Sequence, residues 1–338
     1  MEMSREALLR AIWRVLPAMA KKELFYQANK IAFAGRKVAA FNDAVAIFHP
    51  LPGDLSIDGV VDGKRLYDLL GRLSGGIVQV VVDDNKLGLR AGRSRALFDI
   101  LPLSLPIDSV DMTGELVDLP ETFVKHLRWV GSSCAREMAR PALTCVLVAG
   151  GMMQASDGYR ASRIKHGGVE LPRLMLPISQ VEVLVEYDIK QVALSDGGEW
   201  ARFTTEDGTV VCTRSMAGVF PDLGPLCAMT GREVQLTGLL SPAIARARIF
   251  SKGNGNPIDE EIELTMRQNQ IEVSAQCDGG QFSEIVQCIG SVEGVGFSIH
   301  PKFLDAALES DTRCIIGDRA VKFSGDGWDH IVALRNPH

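Results

Sequence analysis

The chain has 338 residues, 46% of them apolar, and a formal net charge of −6. That length accommodates two or three domains, and the ordinary apolar content excludes a disordered or collagen-like chain. No apolar run approaches the roughly 20 residues of a membrane helix, and Met1-Glu2-Met3-Ser4-Arg5 leads into an amphipathic segment unlike a signal peptide, so a cytoplasmic location is expected.

In chain order the pattern repeats three times, each time over roughly 110 residues, the size of one small domain. The first third predicts an apolar-periodic helix over 5–20, two or three short alternating strands, a second helix over 64–74 and closing strands over 86–101. The middle third predicts helices over 121–136 and 177–187 with closing strands over 200–219. The last predicts helices over 242–250 and 301–309 with closing strands over 319–334. Residues 181–187 are β-branched and acidic, and propensity alone assigns them to a strand. Only the repeat assigns them to a helix. Three copies of an α+β module are expected, divided 1–112, 113–228 and 229–338.

Charge is distributed unevenly over these modules. In the first helix Leu8, Leu9, Ile12, Val15, Leu16 and Met19 form one apolar stripe. Off that stripe lie Arg5, Arg10, Arg14, Lys21 and Lys22, with Glu6 the only acid. The middle copy buries Phe123, Val124, Leu127 and Val130 and shows Lys125, Arg128, Arg136 and Arg140 against Glu121 and Glu137. The third copy offers Arg246, Arg248 and Lys252, and the second helix of the first third adds Lys64, Arg65 and Arg72. Acids gather elsewhere, at Asp83-Asp84, Glu206-Asp207 and Asp259-Glu260-Glu261. Surface helices often carry Lys and Arg, but three equivalent basic helices in an acidic chain point to a shared surface. Such a surface attracts phosphates without reading sequence.

Catalytic motifs are missing. Gly75-Gly76, Gly150-Gly151 and Gly197-Gly198 belong to no phosphate-binding loop and read as hairpin turns. The six histidines are scattered, the seven cysteines form no CxxC pair, and no GxSxG elbow occurs. No metal, cofactor, disulfide or catalytic residue is expected, and the cysteines read as small buried hydrophobes.

Two stretches carry recognisable wording. One is Arg140-Pro141-Ala142-Leu143-Thr144-Cys145-Val146 followed by Ala155-Ser156-Asp157-Gly158-Tyr159-Arg160-Ala161. The other is Leu89-Arg90-Ala91-Gly92-Arg93-Ser94-Arg95 running on to Asp99-Ile100-Leu101-Pro102, and Val219-Phe220-Pro221-Asp222 adds a third phrase. In order and spacing they resemble the sliding clamp of bacterial replication, the beta subunit of DNA polymerase III, over essentially the whole chain. The resemblance implies an α+β DNA-clamp fold of three similar domains, each with two helices packed on antiparallel sheet. It also implies a non-enzymatic ring, closed as a head-to-tail homodimer around duplex DNA, that serves a polymerase catalytic subunit and a clamp loader.

On that basis the DNA-facing residues are Arg10, Arg14, Lys21, Lys22, Lys64, Arg65, Lys125, Arg128, Arg140 and Arg246. Ring closure would bring Ile249 and Phe250 against Ala96 and Phe98, with Ala96 replacing a larger aromatic of the family. A groove for partner peptides would use Leu143, Ser156, Gly158, Tyr159, Arg160, Pro221, Leu226, Ile331, Ala333 and Leu334. Ala161 stands where the family has leucine, and Ala333-Leu334-Arg335 replaces its Met-Pro-Met ending. The alternative is a clamp-like adaptor or decoy that binds replication peptides without encircling DNA, which would suit a phage or plasmid copy.

Overall fold

A computed structural model of the chain describes residues 1–83, 85–167, 170–251, 259–288 and 294–335. The same run of elements occurs three times: a short strand, a helix, four strands, a helix and three strands. The first run is Glu2–Ser4, α1 (Arg5–Val15), Ile31–Gly35, Lys37–Phe41, Val45–Pro50, Ile57–Val61, α2 (Gly63–Arg72), Ile77–Asp83, Lys86–Ala91 and Ser94–Asp99. The second is Val117–Asp118, α3 (Phe123–Gly131), Cys145–Ala149, Met152–Ser156, Arg160–Lys165, Leu174–Pro177, α4 (Ile178–Leu184), Ile189–Leu194, Trp200–Thr205 and Val210–Arg214. A short helix, α5 (Gly224–Cys227), precedes the third. That run is Arg232–Gln235, α6 (Leu240–Ala247), Ile262–Arg267, Gln270–Cys277, Gly280–Gln287, Val295–Ile299, α7 (Pro301–Leu308), Arg313–Ile316, Ala320–Gly325 and Trp328–Ala333.

The expected repeat is therefore present, with two corrections. A strand opens each copy, and four strands, not two or three, separate its helices. The opening strands are too short for an alternating pattern to register.

Local chemistry sets the helices. Ser4 caps α1, its hydroxyl accepting from the Ala7 amide at 3.2 Å, and Leu8, Ala11, Ile12 and Val15 are buried. Asp62 caps α2 by accepting from the Arg65 amide, above buried Leu66 and Leu70. In α4 the spacing overrides β-propensity: Val181 and Leu184 are buried while Val183 and Val185 are only half-buried. A strand would have placed Val181, Val183 and Val185 on one face, so the three-residue stripe marks a helix.

The chain forms two compact units, Met1–Arg128 with Val148–Gly150 and Val169–Ala217, and Trp129–Leu147 with Gly151–Gly168 and Gly218–His338. The division passes through the second run because sheets continue from one run into the next. In the first unit an antiparallel sheet runs Ile57–Val61, Ile31–Gly35, Lys37–Phe41, Val45–Pro50, Val210–Arg214, Trp200–Thr205, Ile189–Leu194, Val117–Asp118. Its seam lies between Val45–Pro50 and Val210–Arg214, where Ala46 faces Cys212. Phe41 packs there against Trp200 and Phe25. A separate four-stranded sheet has the order Glu2–Ser4, Ile77–Asp83, Lys86–Ala91, Ser94–Asp99.

The second unit follows the same plan. Consecutive strands are Met152–Ser156, Arg160–Lys165, Trp328–Ala333, Ala320–Gly325, Arg313–Ile316 and Arg232–Gln235, with a seam at which Ala161 faces Ile331. Its separate four-stranded sheet runs Gly280–Gln287, Gln270–Cys277, Ile262–Arg267, Val295–Ile299.

Gly150-Gly151 and Gly197-Gly198 turn between strands as expected, the former with φ of +54° and +73°. Gly75-Gly76 instead joins α2 to Ile77–Asp83, so that doublet is a helix-to-strand connection. All seven cysteines are free and five are buried; burial pushes the thiol pKa of Cys134, Cys212 and Cys314 up to about 12. Among the described residues no helix is long and apolar enough to cross a membrane.

Candidate functional site

The second unit carries a two-part groove on either side of the Ser156–Arg160 turn. Asp157 organises that turn: its Oδ1 accepts from the amides of Tyr159 and Arg160, both at 2.9 Å, and its Oδ2 accepts from Arg160 Nε at 3.0 Å. Ser156 Oγ donates to the Arg160 carbonyl at 2.8 Å and accepts from the Gly158 amide at 3.1 Å. Gly158 adopts φ of +89°, a conformation that suits glycine. Arg160 also donates to the Ser132 carbonyl and lies 4.4 Å over the Phe303 ring.

One cavity, of about 690 Å³, is lined by residues from 132–143, by Asp157, Gly158, Tyr159 and Arg160, and by Phe303. Leu143 forms part of its floor; its carbonyl accepts from the Ala135 amide at 2.9 Å and ties the 132–140 segment down. The other, of about 230 Å³, is lined by Ser156, Gly158, Tyr159, Arg160, Ala161, Leu226, Arg319, Ala320, Ile331 and Ala333. Apolar walls with a few fixed polar groups suit a short extended peptide.

Beneath the turn lies a buried polar chain. Ser133 Oγ and Ser162 Oγ are 2.7 Å apart, and Ser162 Oγ lies 2.8 Å from His330 Nδ1. Trp129 packs edge-on against Trp328 at 5.7 Å and near His330 at 6.0 Å. Burial, with a smaller contribution from Arg160, lowers the His330 pKa to about 4.

The residues expected to face DNA divide into two groups. Lys21, Lys22, Lys64 and Lys125 are all exposed, with no carboxylate within ion-pair distance among the described residues. The arginines are largely engaged. Arg14 pairs with Asp207 at 2.5 Å, its backbone carbonyl accepts from the Tyr187 hydroxyl, and its guanidinium packs on Trp13 and Tyr187. Asp207 also accepts from the hydroxyls of Thr205 and Thr209. Burial opposes its carboxylate, but these hydroxyls, the Thr209 amide and Arg14 outweigh that and hold its pKa well below the carboxylate range.

Arg246 forms a two-pronged pair with Glu284, and Arg248 pairs with Glu260. Arg10 and Arg65 make exposed pairs with Glu6 and Asp62, worth little in water. Arg128 donates to the Val185 carbonyl, and Arg140 lines the larger cavity of the groove. Two of the loop acids, Asp207 and Glu260, thus reach back to Arg14 and Arg248, and unpaired positive charge in this set rests mainly on lysines. Lys252 and Asp84 lie outside the described residues.

Among the described residues, each four-stranded sheet ends on a strand with no neighbour on its outer side. On Ser94–Asp99, Ala96 and Phe98 face Leu89 and Leu87 in register and are half-buried, while Leu97 between them is 74% exposed. On Gly280–Gln287, Ile285 is 54% exposed. Phe250 stacks on Phe282 at 5.9 Å, and neighbouring Ile249 is 67% exposed.

No protein-family model matches the chain, and no curated protein matches it in sequence. Solved structures do. A DNA polymerase sliding clamp from Pseudomonas aeruginosa, solved with a ligand, is similar with a TM-score of 0.86 at 18% identity over 99% of both chains. The sliding clamp from Bacillus subtilis gives a TM-score of 0.85 at 16% identity, covering 100% of this chain and 99% of that one. The beta subunit of the Streptococcus pyogenes DNA polymerase gives 0.84 at 16% identity, covering 99% of each.

The chain has the bacterial sliding-clamp fold.

Within this fold, the structure gathers most of the expected groove residues. Ser156, Gly158, Tyr159, Arg160, Leu226, Ile331 and Ala333 line one cavity, and Leu143 lines its neighbour. Two do not join them. Pro221 is exposed and lines neither cavity, and Leu334 is half-buried and packs against the core of the second unit. Phe303, Arg140, Arg319 and Ala320 line the groove without having been expected there. Phe303 had a signal: in α7 it lies between buried Pro301 and Leu304, an apolar side chain off the buried stripe.

Proposed function

We propose that the chain is a DNA sliding clamp, a non-catalytic ring that encircles duplex DNA and tethers a polymerase through its groove. The half-sheets carry this reading. Each run contributes two sets of four strands, and the seams Val45–Pro50/Val210–Arg214 and Arg160–Lys165/Trp328–Ala333 join the edge strand of one set to the edge strand of the next run's other set. Gly280–Gln287 and Ser94–Asp99 hold the equivalent positions and are left over at the two ends of the series. Pairing them between two chains repeats the same seam, a heterologous contact that can close on a second copy. An unpaired edge left open is a liability that proteins ordinarily cover.

In this reading the domains are 1–112, 113–228 and 229–338, and Ala96, Leu97, Phe98, Ile249 and Phe250 border the contact. A polymerase catalytic subunit and a clamp loader bind the groove. Lys21, Lys22, Lys64 and Lys125 supply a diffuse positive field that holds the phosphate backbone without reading bases. An adaptor that does not encircle DNA would leave both edges without a purpose.

The deciding experiment is retention on DNA. Loaded onto a nicked circular plasmid by a bacterial clamp loader, the chain should remain bound in high salt and be lost when the circle is cut. Binding that salt removes equally from circular and linear DNA would sink the ring. The lysines give a second expected result. Replacing Lys21 and Lys22 with glutamine should lower the logarithmic salt dependence of DNA binding by roughly one unit for each phosphate that is no longer neutralised. Arg14→Gln should leave that slope unchanged, because Arg14 is committed to Asp207; a slope altered equally by both would return Arg14 to the DNA-facing set.

A further inference from the structure

Residues 20–28 form a closed loop after α1, and its shape is fixed from the inside. The Ala20 amide donates to the Ala28 carbonyl at 2.9 Å and ties the two ends together. Between them, side chains alternate inward and outward. Phe25 packs on Phe41 at 5.8 Å, and Gln27 is fully buried. Gln27 Nε2 donates to the Pro102 carbonyl at 2.8 Å, while its Oε1 accepts from the Ser104 amide at 2.9 Å. These bonds hold Gln27 at φ of +67°, a left-handed conformation that a non-glycine residue keeps only where its surroundings enforce it. The intervening side chains, Leu24 and Tyr26, are 76% and 64% exposed. Anchored on both sides by buried neighbours, they are held outward.

Charge selects what they meet. Lys21 and Lys22 are exposed and make no ion pair among the described residues, and the loop's one carboxylate, Glu23, accepts from the Gln27 amide at 2.9 Å. Lysine is depleted at the cores of protein contacts, whereas it readily neutralises phosphates. A duplex offers the lysines phosphates but hides its base faces in the stack. It gives Leu24 and Tyr26 a partner only if a wedge is driven between base pairs, which is costly. An unpaired strand offers both phosphates and open base faces on which an aromatic ring can stack. We infer that this loop binds single-stranded DNA, with Tyr26 stacked on an unpaired base, Leu24 against its neighbour, and Lys21 and Lys22 on the flanking phosphates. The inference deepens the DNA-binding reading: it rests on the two lysines meeting phosphate and adds a contact that an intact duplex does not make.

Fluorescence anisotropy on the full chain tests it, without a clamp loader, using dye-labelled oligonucleotides of equal length. One is a thymine strand, one is the same strand with abasic sites throughout, and one is a duplex. Tyr26→Ala should weaken binding of the thymine strand about tenfold, whereas Tyr26→Phe, which keeps the ring, should weaken it less than about twofold. Neither variant should change the affinity for the abasic strand or the duplex. Replacing Lys21 and Lys22 with glutamine should weaken all three, and that effect should shrink as salt rises, while the Tyr26→Ala loss on the thymine strand persists. Tyr26 is exposed, so its replacement leaves the core intact. A Tyr26→Ala loss equal on all three oligonucleotides would assign the ring to the backbone and overturn the inference, as would unchanged binding of the thymine strand. A loss confined to the duplex would make Leu24 and Tyr26 a groove wedge and overturn it too. If the chain binds none of the three, the inference falls, while retention on the circular plasmid, which requires no affinity of this loop, still decides the ring.

Discussion

Leu97→Glu should turn a dimer of this chain into a monomer, halving the mass read by light scattering after size exclusion at micromolar concentration. Leu97 is 74% exposed on the unpaired strand Ser94–Asp99, flanked by half-buried Ala96 and Phe98. Its proposed partner, Gly280–Gln287, presents Ile285, which is 54% exposed. Across an antiparallel pair, facing side chains lie about 5 Å apart, so apolar residues on both edges would be covered together. Covering one leucine contributes about 2 kcal/mol, and placing a carboxylate there without a partner costs a further few kcal/mol. The combined loss, about 3 kcal/mol or more, weakens each interface by at least about 100-fold. Ile285→Glu should act in the same way from the other edge. Val219→Glu, at a fully exposed site on neither edge, should leave the mass unchanged. A Leu97→Glu chain that still elutes as a dimer would refute closure through these strands.

The parts of the fold legible in the sequence are those written locally. Helical spacing located five of the six longer helices, and only the threefold repeat supplied α4, where Val181 and Leu184 share a buried face despite the run of β-branched residues. Hydrophobic alternation could have excluded Leu334 from the groove. Ile331 and Ala333 lie two apart on one face of Trp328–Ala333 and line the cavity, whereas Val332 is fully buried on the opposite face, toward which Leu334 also packs. What resisted reading was non-local. Arg14 looked free because its partner Asp207 is 193 residues away in the chain. Arg140 lies among basic residues in the sequence, whereas in the fold it shares a cavity with the 156–160 turn and Phe303. Charge along a helix reports which residues can leave the core, and only the fold decides which of them remain unpaired.

The two internal seams are built with different chemistry, and this bears on how they respond to their surroundings. In the first unit, helix α1 meets the seam through Arg14, Asp207, Thr209 and His49, a polar set in which Thr209 Oγ1 lies 2.8 Å from His49 Nδ1. In the second, the rings of Trp129, Trp328 and His330 pack together beside the Ser133–Ser162–His330 chain. Ion pairs and hydroxyls fix direction and register, while rings supply buried area and tolerate small shifts. The groove is attached to the aromatic seam, since Arg160–Lys165 and Trp328–Ala333 form it and carry Arg160, Ala161, Ile331 and Ala333 on the groove side.

That attachment makes the groove sensitive to acid through one side chain. His330 is buried, its Nδ1 bonded to Ser162 and its Nε2 without a partner. Burial, and secondarily the charge of Arg160, lower its pKa from 6.5 to about 4. The unfolded chain, whose histidine keeps its ordinary pKa, takes up this proton first. The stabilisation from neutral His330 is therefore complete above about pH 6.5, declines as pH falls, and is exhausted near pH 4. At 1.36 kcal/mol per pH unit, the loss between pH 6.5 and 5 should be about 2 kcal/mol, in a window above the titration of ordinary carboxylates. His166 in the same unit is shifted in the same direction by burial and adds to the slope. Urea unfolding followed by the fluorescence of Trp129 and Trp328, which adjoin His330, should show the decline. His330→Gln can keep a polar contact with Ser162 and has no proton to gain, so it should remove most of the slope even if it lowers stability at pH 7. A wild-type midpoint that stays level from pH 7 to 5 would mean that His330 accepts a proton in place, and the strand pair under the groove would then have no acid-sensitive element.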